Sequence, residues 1–330
     1  MVDSPVVSVL MPARNAELTI GEALKSVMFQ SMSDWELLVI NDASTDGTET
    51  VVLKHAGRDS RIRLLQSNGS GEPAARNVGL DAARGRWIAM LDADDVALPS
   101  RLTEQVRFLE RSKRLFAAAS RAVLFVEPFR PLGISSVAEP RTMSELQTLM
   151  KRGHLFVFCH PTLIFDAKRL RAIGGYNEAF FQACDTELVN RALYLHDLPV
   201  LLMEKPLTWY RVSPKGMSSQ GLVGQRKVLR YLEERNHTWL AGDEPPSLET
   251  FLSMPIDFRT RLRWFRHDLG ASSYRKAGVL LGQRRPISAG FRLLSAGLLH
   301  PRYVLSKVAR QRVKGSQIIP SPGNDEKASE

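Results

Sequence analysis

Residues 87–95 read Trp-Ile-Ala-Met-Leu-Asp-Ala-Asp-Asp, an apolar run that ends in three closely spaced carboxylates, Asp92, Asp94 and Asp95. The apolar part is typical of a buried strand in a parallel sheet, and ligands of such sheets bind beyond the carboxyl ends of the strands. Crowded carboxylates repel one another unless a cation neutralises them, and hard oxygen ligands favour Mg²⁺ or Mn²⁺ beside substrate phosphates. Taken alone, the short Asp-x-Asp pattern is equally consistent with a solvated acidic turn that caps the following helix.

The residues before this stretch predict further strands that alternate with helices. Apolar runs at residues 6–11, 35–40 and 62–65 are typical of buried strands. Amphipathic or Ala-rich segments at residues 20–28 and 73–83 predict helices between them. This alternation predicts an α/β fold with a mostly parallel sheet. Farther along, residues 116–126, 161–165, 200–203 and 207–211 predict strands, residues 185–196 predict a helix, and Pro and Gly at residues 128–140 predict a loop.

Two more polar positions are placed to share a crevice with the acidic cluster. Asp42 follows the second strand, where a carboxylate can accept hydrogen bonds from a nucleobase or a ribose; the alternative is an Asx turn into the next helix. Arg76 lies on the helix before the fourth strand, and its forked guanidinium suits a diphosphate; the alternative is a surface charge.

These segments together resemble the donor half of the family 2 glycosyltransferases, of the kind that builds bacterial cell-surface polysaccharides. The resemblance rests on residues 7–15, Asn41-Asp42-Ala43-Ser44-Thr45-Asp46-Gly47-Thr48, Ala75-Arg76-Asn77 and Leu91-Asp92-Ala93-Asp94-Asp95, and continues through residues 160–162, 173–176, 185, 191 and 206–211. It covers roughly residues 5–215. It implies a GT-A fold, in which helices flank a Rossmann-like sheet, and a metal-dependent, inverting transfer from a nucleoside-diphosphate sugar.

The resemblance also implies a role for each matched residue. Asp42 would bind the nucleoside base, and Pro12, Ala13 and Asn15 would line the same pocket. Asp92 would approach the ribose or the sugar, Asp94 would coordinate Mn²⁺ or Mg²⁺, and Asp185 would be the catalytic base. The alternative for Asp185 is an N-cap of the helix that follows it.

Two departures from the family pattern concern the acceptor and the metal. Relatives often carry Glu where this chain has Cys184, and often His where it has Ser213. The first puts the acceptor class in doubt. The second implies either a weaker metal site or a metal ligand supplied from elsewhere in the chain. Four residues are candidates for the acceptor side: His160, Glu187, Trp209 and Arg211. For His160 a structural role is an equal alternative.

Charge is concentrated near the end of the chain. The whole sequence carries a formal net charge of +10, whereas residues 258–315 hold fourteen Lys and Arg and one acid, Asp268. Apolar residues interleave with these cations, a pattern that favours the surface of an anionic membrane over nucleic acid. The alternative is a helical cap on the catalytic domain with solvated Arg side chains.

Two cysteines suggest neither a disulfide framework nor a metal site, and no leader or membrane-spanning run is evident. We therefore expect a cytoplasmic protein, peripheral on the inner face of the cytoplasmic membrane. The predicted domains are a GT-A domain at residues 1–215, with a donor half (about 1–100) and an acceptor half (about 101–215), a basic helical region at 216–315, and a disordered tail at 316–330.

The predicted function is inverting, metal-dependent transfer from a nucleoside-diphosphate sugar, with a UDP-sugar as the favoured donor, to a glycan or lipid-linked acceptor. A catalytically degenerate sugar-nucleotide-binding or scaffold protein is the alternative. A nucleotidyltransferase is disfavoured because no Gly-rich phosphate loop with a Lys lies near the start of the chain. A dinucleotide-dependent dehydrogenase is disfavoured because no G-x-G-x-x-G follows the first strand.

Overall fold

The computed structural model describes residues 4–127, 129–135, 139–213, 222–282, 285–301 and 304–305. The tail predicted at residues 316–330 lies outside these ranges. The chain divides into two compact units, Met1–Met254 and Pro255–Glu330. The first unit thus extends beyond residue 215, the predicted end of the GT-A domain. The functional limits given above remain a prediction.

One mixed sheet organises the first unit. Its strands in the described residues are β1 (Val7–Ala13), β2 (Trp35–Asp42), β3 (Ile62–Ser67), β4 (Trp87–Met90), β5 (Val96–Ala97), β6 (Ala117–Val126), β7 (Arg130–Ile134), β8 (Ile164–Asp166) and β9 (Val200–Arg211). Their order is β3-β2-β1-β4-β8-β6-β9-β5, with β7 beside β6. Strands β1 to β4 of the donor half are parallel to one another, and its short β5 is antiparallel to β9. In the rest of the sheet, β8 is antiparallel to β4 and β6, and β9 is parallel to β6. The mostly parallel α/β sheet predicted from the sequence is confirmed.

Helices connect most of these strands and, in the described residues, two more follow the last strand of the first unit. They are α1 (Ile20–Met28), α2 (Thr48–Ala56), α3 (Glu72–Ala82), α4 (Arg101–Arg111), α5 (Met143–Met150), α6 (Ala167–Ala172), α7 (Cys184–His196), α8 (Leu222–Ala241) and α9 (Leu248–Ser253). The predicted apolar face of α1 is buried through Ile20, Ala23, Leu24 and Val27. Every residue of β1 and β2 is buried, which is why most of their residues are apolar.

Two predictions about the second half of this unit are wrong. The Pro- and Gly-containing segment predicted as a loop holds β7, which pairs only with β6. Pro131 is tolerated there because an edge strand does not need every N–H for a ladder. The two strands predicted at residues 200–203 and 207–211 are one strand, β9, whose pairing with β6 shifts register between Ser120 and Ala122.

Strand register brings the ends of three strands together at one edge of the sheet. Ala13 of β1 lies beside Asn41 of β2, and Asp42 lies beside Ser67 of β3. The acidic residues follow β4, which pairs in parallel with β1 on its other side. The predicted site residues of the donor half therefore lie along the carboxyl ends of adjacent strands, where parallel sheets bind ligands.

The second unit contains two helices in its described residues, α10 (Phe258–Gly282) and α11 (Pro286–Leu299). They pack on each other at small residues. A Cβ at Gly270 would lie 2.9 Å from the His300 Cβ and 3.5 Å from the Ala296 carbonyl oxygen. Across the described residues of the whole chain, no helix is both long and apolar enough to span a membrane.

Candidate active site

The turn after β2 holds the predicted nucleoside site. Asn41, and not Asp42, bonds to the backbone of this turn, since its Oδ1 accepts a hydrogen bond from the N–H of Ser44, three residues on, at 3.1 Å. The Asx turn offered as the alternative for Asp42 is therefore wrong. The buried Asp42 carboxylate instead accepts a hydrogen bond from the Ser67 hydroxyl at 2.9 Å. This bond fixes the carboxylate at the junction of β2 and β3.

The loop after β1 closes against the same turn. Asn15 adopts the left-handed conformation, with φ of 52°, and remains exposed. Its backbone N–H donates to the Ser44 hydroxyl at 3.1 Å, and its Oδ1 accepts from the Thr45 N–H at 2.8 Å. Pro12 and Ala13 are buried in β1 just before this loop. The predicted base-pocket residues thus gather at the ends of β1 and β2.

The three carboxylates after β4 form a compact cluster. One oxygen from each of Asp92, Asp94 and Asp95 lies within 4.8 Å of the others. Asp95 is fully buried, and its Oδ1 accepts a 2.8 Å hydrogen bond from the backbone N–H of Arg211. The buried Asp92 Oδ1 and Asp95 Oδ2 have no hydrogen-bond partner within the described residues. A fully solvated acidic turn, the alternative offered above, does not describe these two buried oxygens, although Asp92 and Asp94 stay partly exposed.

Burial and mutual repulsion make this cluster costly to ionise. The pKa of Asp92 is raised to about 7, chiefly by burial; the guanidinium of Arg76 opposes this rise, and the charges of Glu72, Asp94 and Asp185 add to it. Burial also raises the pKa of Asp94, and raises that of Asp95 well above its usual range. A cation among the three oxygens would reverse these shifts. The residues present therefore fit a divalent metal ion.

Arg76 is buried on α3 between the acidic cluster and the start of α7. Its Nη2 lies 3.3 Å from Glu72 Oε1 and 3.9 Å from Asp92 Oδ1, and its Nη1 donates to Cys184 Sγ at 3.0 Å. The alternative of a solvated surface charge is wrong, because only 3% of the side chain is exposed. Its Nε finds no hydrogen-bond partner in the described part of the chain. This buried cation is suited to an anionic ligand group.

Asp185 lies in the first turn of α7 and faces the same cluster. The N-cap of this helix is Ala183, in the left-handed conformation, so the N-cap alternative for Asp185 is wrong. Burial raises the pKa of Asp185, and the guanidinium of Arg76 lowers it. The Asp185 charge in turn raises the pKa of Asp92. The candidate base and the acidic cluster thus act on each other electrostatically across one crevice.

Glu72 is a site residue that the sequence analysis missed. It begins α3, forms an ion pair with Arg76, and its charge raises the pKa of Asp92, Asp94 and Asp185. The neighbouring Cys184 carries no charge, since burial raises the pKa of its thiol to about 12. Relatives often carry Glu directly before the catalytic base, and α7 has the uncharged Cys184 at that position. A different carboxylate, that of Glu72 on α3, lies beside Arg76. The i,i+4 spacing of Glu72 and Arg76 was the signal in the sequence.

Two of the four acceptor-side candidates, His160 and Trp209, pack against aromatic side chains. His160 is buried, its Nε2 lies 2.9 Å from the Tyr176 hydroxyl, and burial lowers its pKa well below the usual range, so it is neutral. Trp209 packs on Phe125, with ring centroids 5.5 Å apart. These contacts give His160 and Trp209 packing partners without defining an acceptor subsite.

Arg211 holds the acidic turn in place. Its Nε donates to the backbone oxygen of Asp94 at 2.7 Å, its Nη2 pairs with Glu22 at 2.8 Å, and its Nη1 pairs with Glu127. Its charge also lowers the pKa of Asp94. Together with the bond from its N–H to Asp95, these contacts make Arg211 a support of the predicted metal site.

Glu187 does not fit the acceptor role considered for it. Its side chain is fully buried, and its Oε1 lies 3.0 Å from Arg191 Nε and 2.9 Å from Arg235 Nη1 of α8. A carboxylate enclosed by two guanidinium groups has no route to an acceptor hydroxyl. Its role is to join α7 to α8.

Glu187→Gln is therefore expected to lower the free energy of unfolding by about 2 kcal/mol, the contribution of a hydrogen bond to a charged group. The folded variant should keep the wild-type kcat. Urea denaturation measures the first effect and a steady-state assay below the melting temperature measures the second. Glu234→Gln, at an exposed position of α8, is the matched control. A kcat loss of tenfold or more in folded Glu187→Gln would restore its predicted acceptor role.

The fold and the site define an α/β protein with a cluster of acidic and basic side chains at the carboxyl ends of its parallel strands. Residues 8–174 match the model of Glycosyl transferase family 2, and the chain belongs to that family. Two solved structures share the fold. Staphylococcus aureus TarS 1–349 in complex with UDP-GlcNAc has a TM-score of 0.55 at 17% identity, covering 88% of this chain and 91% of that one. The mannosyltransferase PcManGT from Pyrobaculum calidifontis, in complex with GDP-Man and Mn²⁺, has a TM-score of 0.51 at 17% identity, covering 95% and 81%. The predicted GT-A fold is confirmed.

Relatives by sequence are named as glycosyltransferases. The putative glycosyltransferase EpsE of Bacillus subtilis is 35% identical over 181 residues, which are 53% of this chain and 62% of that protein. A UDP-Glc:alpha-D-GlcNAc-diphosphoundecaprenol beta-1,3-glucosyltransferase of Escherichia coli, WfgD, is 41% identical over 115 residues, 34% of this chain and 45% of that protein. The chain thus spans less than two thirds of the length of either relative.

Proposed function

We propose that this chain is an inverting, metal-dependent glycosyltransferase in cell-surface polysaccharide synthesis. It transfers a sugar from a nucleoside-diphosphate sugar, with a UDP-sugar favoured, to a hydroxyl of a glycan or lipid-linked acceptor. The observation that carries the proposal is the convergence of Asp94, Arg76 and Asp185, from three separate elements, around the partly buried carboxylate of Asp92. The donor and lipid-linked acceptor printed in the name of WfgD support the substrate classes.

The donor lies along the ends of the strands in this proposal. Asp42, with Pro12, Ala13 and Asn15 beside it, binds the nucleoside. Asp92 contacts the ribose or the sugar, and Arg76 pairs with the diphosphate, for which a buried guanidinium is suited. Asp94 is the principal ligand of Mn²⁺ or Mg²⁺, and close to it lie the oxygens of Asp92 and Asp95 that have no hydrogen-bond partner among the described residues. When bound, the metal ion offsets the negative charge that grows on the leaving diphosphate.

Asp185 accepts the proton in the proposed reaction. The acceptor oxygen attacks the anomeric carbon from the face opposite the diphosphate, and the bond from that carbon to the diphosphate oxygen breaks. The hydroxyl proton passes to the Asp185 carboxylate, and the nucleoside diphosphate leaves with the electron pair. Because burial raises the pKa of Asp185, it accepts a proton more readily than a solvated carboxylate does. Arg76 lies close enough to stabilise the leaving group.

A thermal-shift panel of nucleoside diphosphates and nucleotide sugars with Mn²⁺ tests the donor site. We expect UDP or a UDP-sugar at about 100 times its Kd to raise Tm by roughly 2–4 °C, because a ligand of the folded state stabilises it by mass action. Asp42→Ala should remove most of this shift. Asp81→Ala, at an exposed position of α3, should retain it. If no nucleotide in the panel raises Tm, the proposed donor site is wrong.

A further inference from the structure

The two helices of the second unit turn large apolar side chains outward. On α10, Phe258, Leu262, Phe265 and Leu269 are exposed by 76%, 45%, 61% and 39%. Successive members are four, three and four residues apart, so they lie on one face of the helix. We call these four residues the α10 stripe.

The second helix repeats the pattern at the same spacing. Ile287, Phe291, Leu294 and Leu298 of α11, the α11 stripe, are exposed by 78%, 69%, 67% and 79%. The buried positions of α11 are instead small, and include Ala289 and Ala296 on the opposite side of the helix. Soluble proteins ordinarily place such residues the other way round, with the large apolar side chains inside.

The packing between the helices explains why the stripes are not needed to hold them together. The helices approach closely at Gly270, where an added Cβ would meet His300 and Ala296. The rings of His267 and His300 also meet edge to face, with centroids 4.7 Å apart. Within the described residues of this unit, the large apolar side chains therefore form an exposed surface that the contact between the two helices does not use.

Cations border these stripes. Arg259, Arg261 and Arg266 are exposed on α10, where their helical positions flank the α10 stripe on both sides, and Arg292 is exposed on α11. The sequence from residue 258 to 315 contributes fourteen basic side chains against Asp268 alone, and Asp268 is buried. An apolar face bordered by Arg matches the chemistry of an anionic bilayer surface, which attracts cations at the headgroups and accepts apolar groups just beneath them.

We propose that the α10 and α11 stripes form a docking surface for an anionic lipid bilayer. The helices lie in the interfacial plane, with the stripes among the upper acyl chains and the flanking Arg side chains at the phosphates. Neither helix crosses the bilayer. This surface is independent of the proposed transfer reaction, and it would bring the enzyme to the plane in which a lipid-linked acceptor resides.

Co-sedimentation of the full chain with vesicles containing about 30% phosphatidylglycerol tests the surface, because anionic lipid supplies the attraction for the Arg side chains. We expect the wild type to sediment with these vesicles, and to do so far less with neutral phosphatidylcholine or in about 0.5 M NaCl, which screens the charges. Phe291→Glu with Leu294→Glu should weaken partitioning tenfold or more, since two inserted side chains are lost. Arg261→Gln with Arg266→Gln, which leaves the apolar stripes intact, should weaken it by a similar factor.

Leu53→Glu with Leu195→Glu is the matched control, because both leucines are exposed, by 53% and 54%, on helices of the first unit. This control should bind as the wild type does. Equal binding by the wild type and the Phe291/Leu294 variant would overturn the proposal. So would a wild-type dimer, detected by light scattering, that binds no vesicles and that this variant converts to monomer. In that case a second copy covers the stripes. If vesicle binding holds while no sugar is transferred, the proposed function fails and the docking surface stands.

Discussion

Asp185→Asn is expected to lower kcat by about 10³-fold, within the range that a positioned general base contributes. Asn has nearly the same shape and cannot accept the proton of the acceptor hydroxyl. The donor contacts proposed for Asp42, Arg76 and Asp94 remain, so nucleotide binding should stay within about threefold of the wild type, a difference of less than 1 kcal/mol. Release of the nucleoside diphosphate and the thermal shift with Mn²⁺ and nucleotide measure the two effects separately.

The thermal stability of Asp185→Asn shows whether a loss of activity comes from the missing base or from a damaged fold. Burial raises the pKa of Asp185 in the folded chain, so ionisation of this carboxylate at neutral pH disfavours the folded state. Removing the charge should leave Tm unchanged or raise it. Glu187→Gln, on the same helix, is expected to show the opposite combination, a lower stability with an unchanged kcat. Wild-type turnover in Asp185→Asn would refute the assignment of the base.

The pH profile provides a second test of the same residue. Because the pKa of Asp185 is raised, the carboxylate is protonated over a wider acidic range than a solvated Asp. The wild-type kcat should therefore fall as the pH drops through this raised pKa, where the base is already occupied by a proton. The residual activity of Asp185→Asn should lack this acidic limb.

The sheet could be predicted from the sequence because its signals are local. The buried strands read as largely apolar segments, and polar residues stand where each strand ends. The positions of Asp42 at the end of β2 and of Asp94 after β4 followed from this pattern, and their roles remain predictions from the family resemblance. The structure adds that Asn41 makes the turn, a distinction that two adjacent polar residues do not reveal in a sequence.

Contacts between distant parts of the chain could not be predicted in this way. Arg235 pairs with Glu187 across 48 positions, and the Arg211 N–H binds Asp95 across 116. Neither separation corresponds to the repeat of a helix or of a strand, so no local sequence pattern indicates either contact. Glu187 was considered for the acceptor side because it lies two residues from Asp185, whereas its place in the helix directs its carboxylate toward α8. The closeness of Glu187 to Asp185 in the sequence placed both residues on α7. It did not show toward which side of that helix the Glu187 side chain points.

Asp94→Asn is expected to lower kcat by about 10³-fold by removing the principal ligand of the metal ion that offsets charge on the leaving diphosphate. The effect should include the loss of metal-dependent donor binding, in contrast to Asp185→Asn. Mn²⁺ with UDP should no longer raise Tm, whereas the metal-free variant should be at least as stable as the wild type. The reason is that burial raises the pKa of Asp94, and Asp94 in turn raises the pKa of both Asp92 and Asp95.

The metal-free and metal-loaded stabilities therefore move in opposite directions in this variant, which a merely structural role for Asp94 would not produce. Asp81→Asn, at an exposed site on α3, should change neither. If Asp94→Asn still gains stability from Mn²⁺ with UDP, Asp94 is not the principal ligand. The buried oxygens of Asp92 and Asp95 would then be the ligands, because they are the acidic groups of this cluster that have no other hydrogen-bond partner within the described residues.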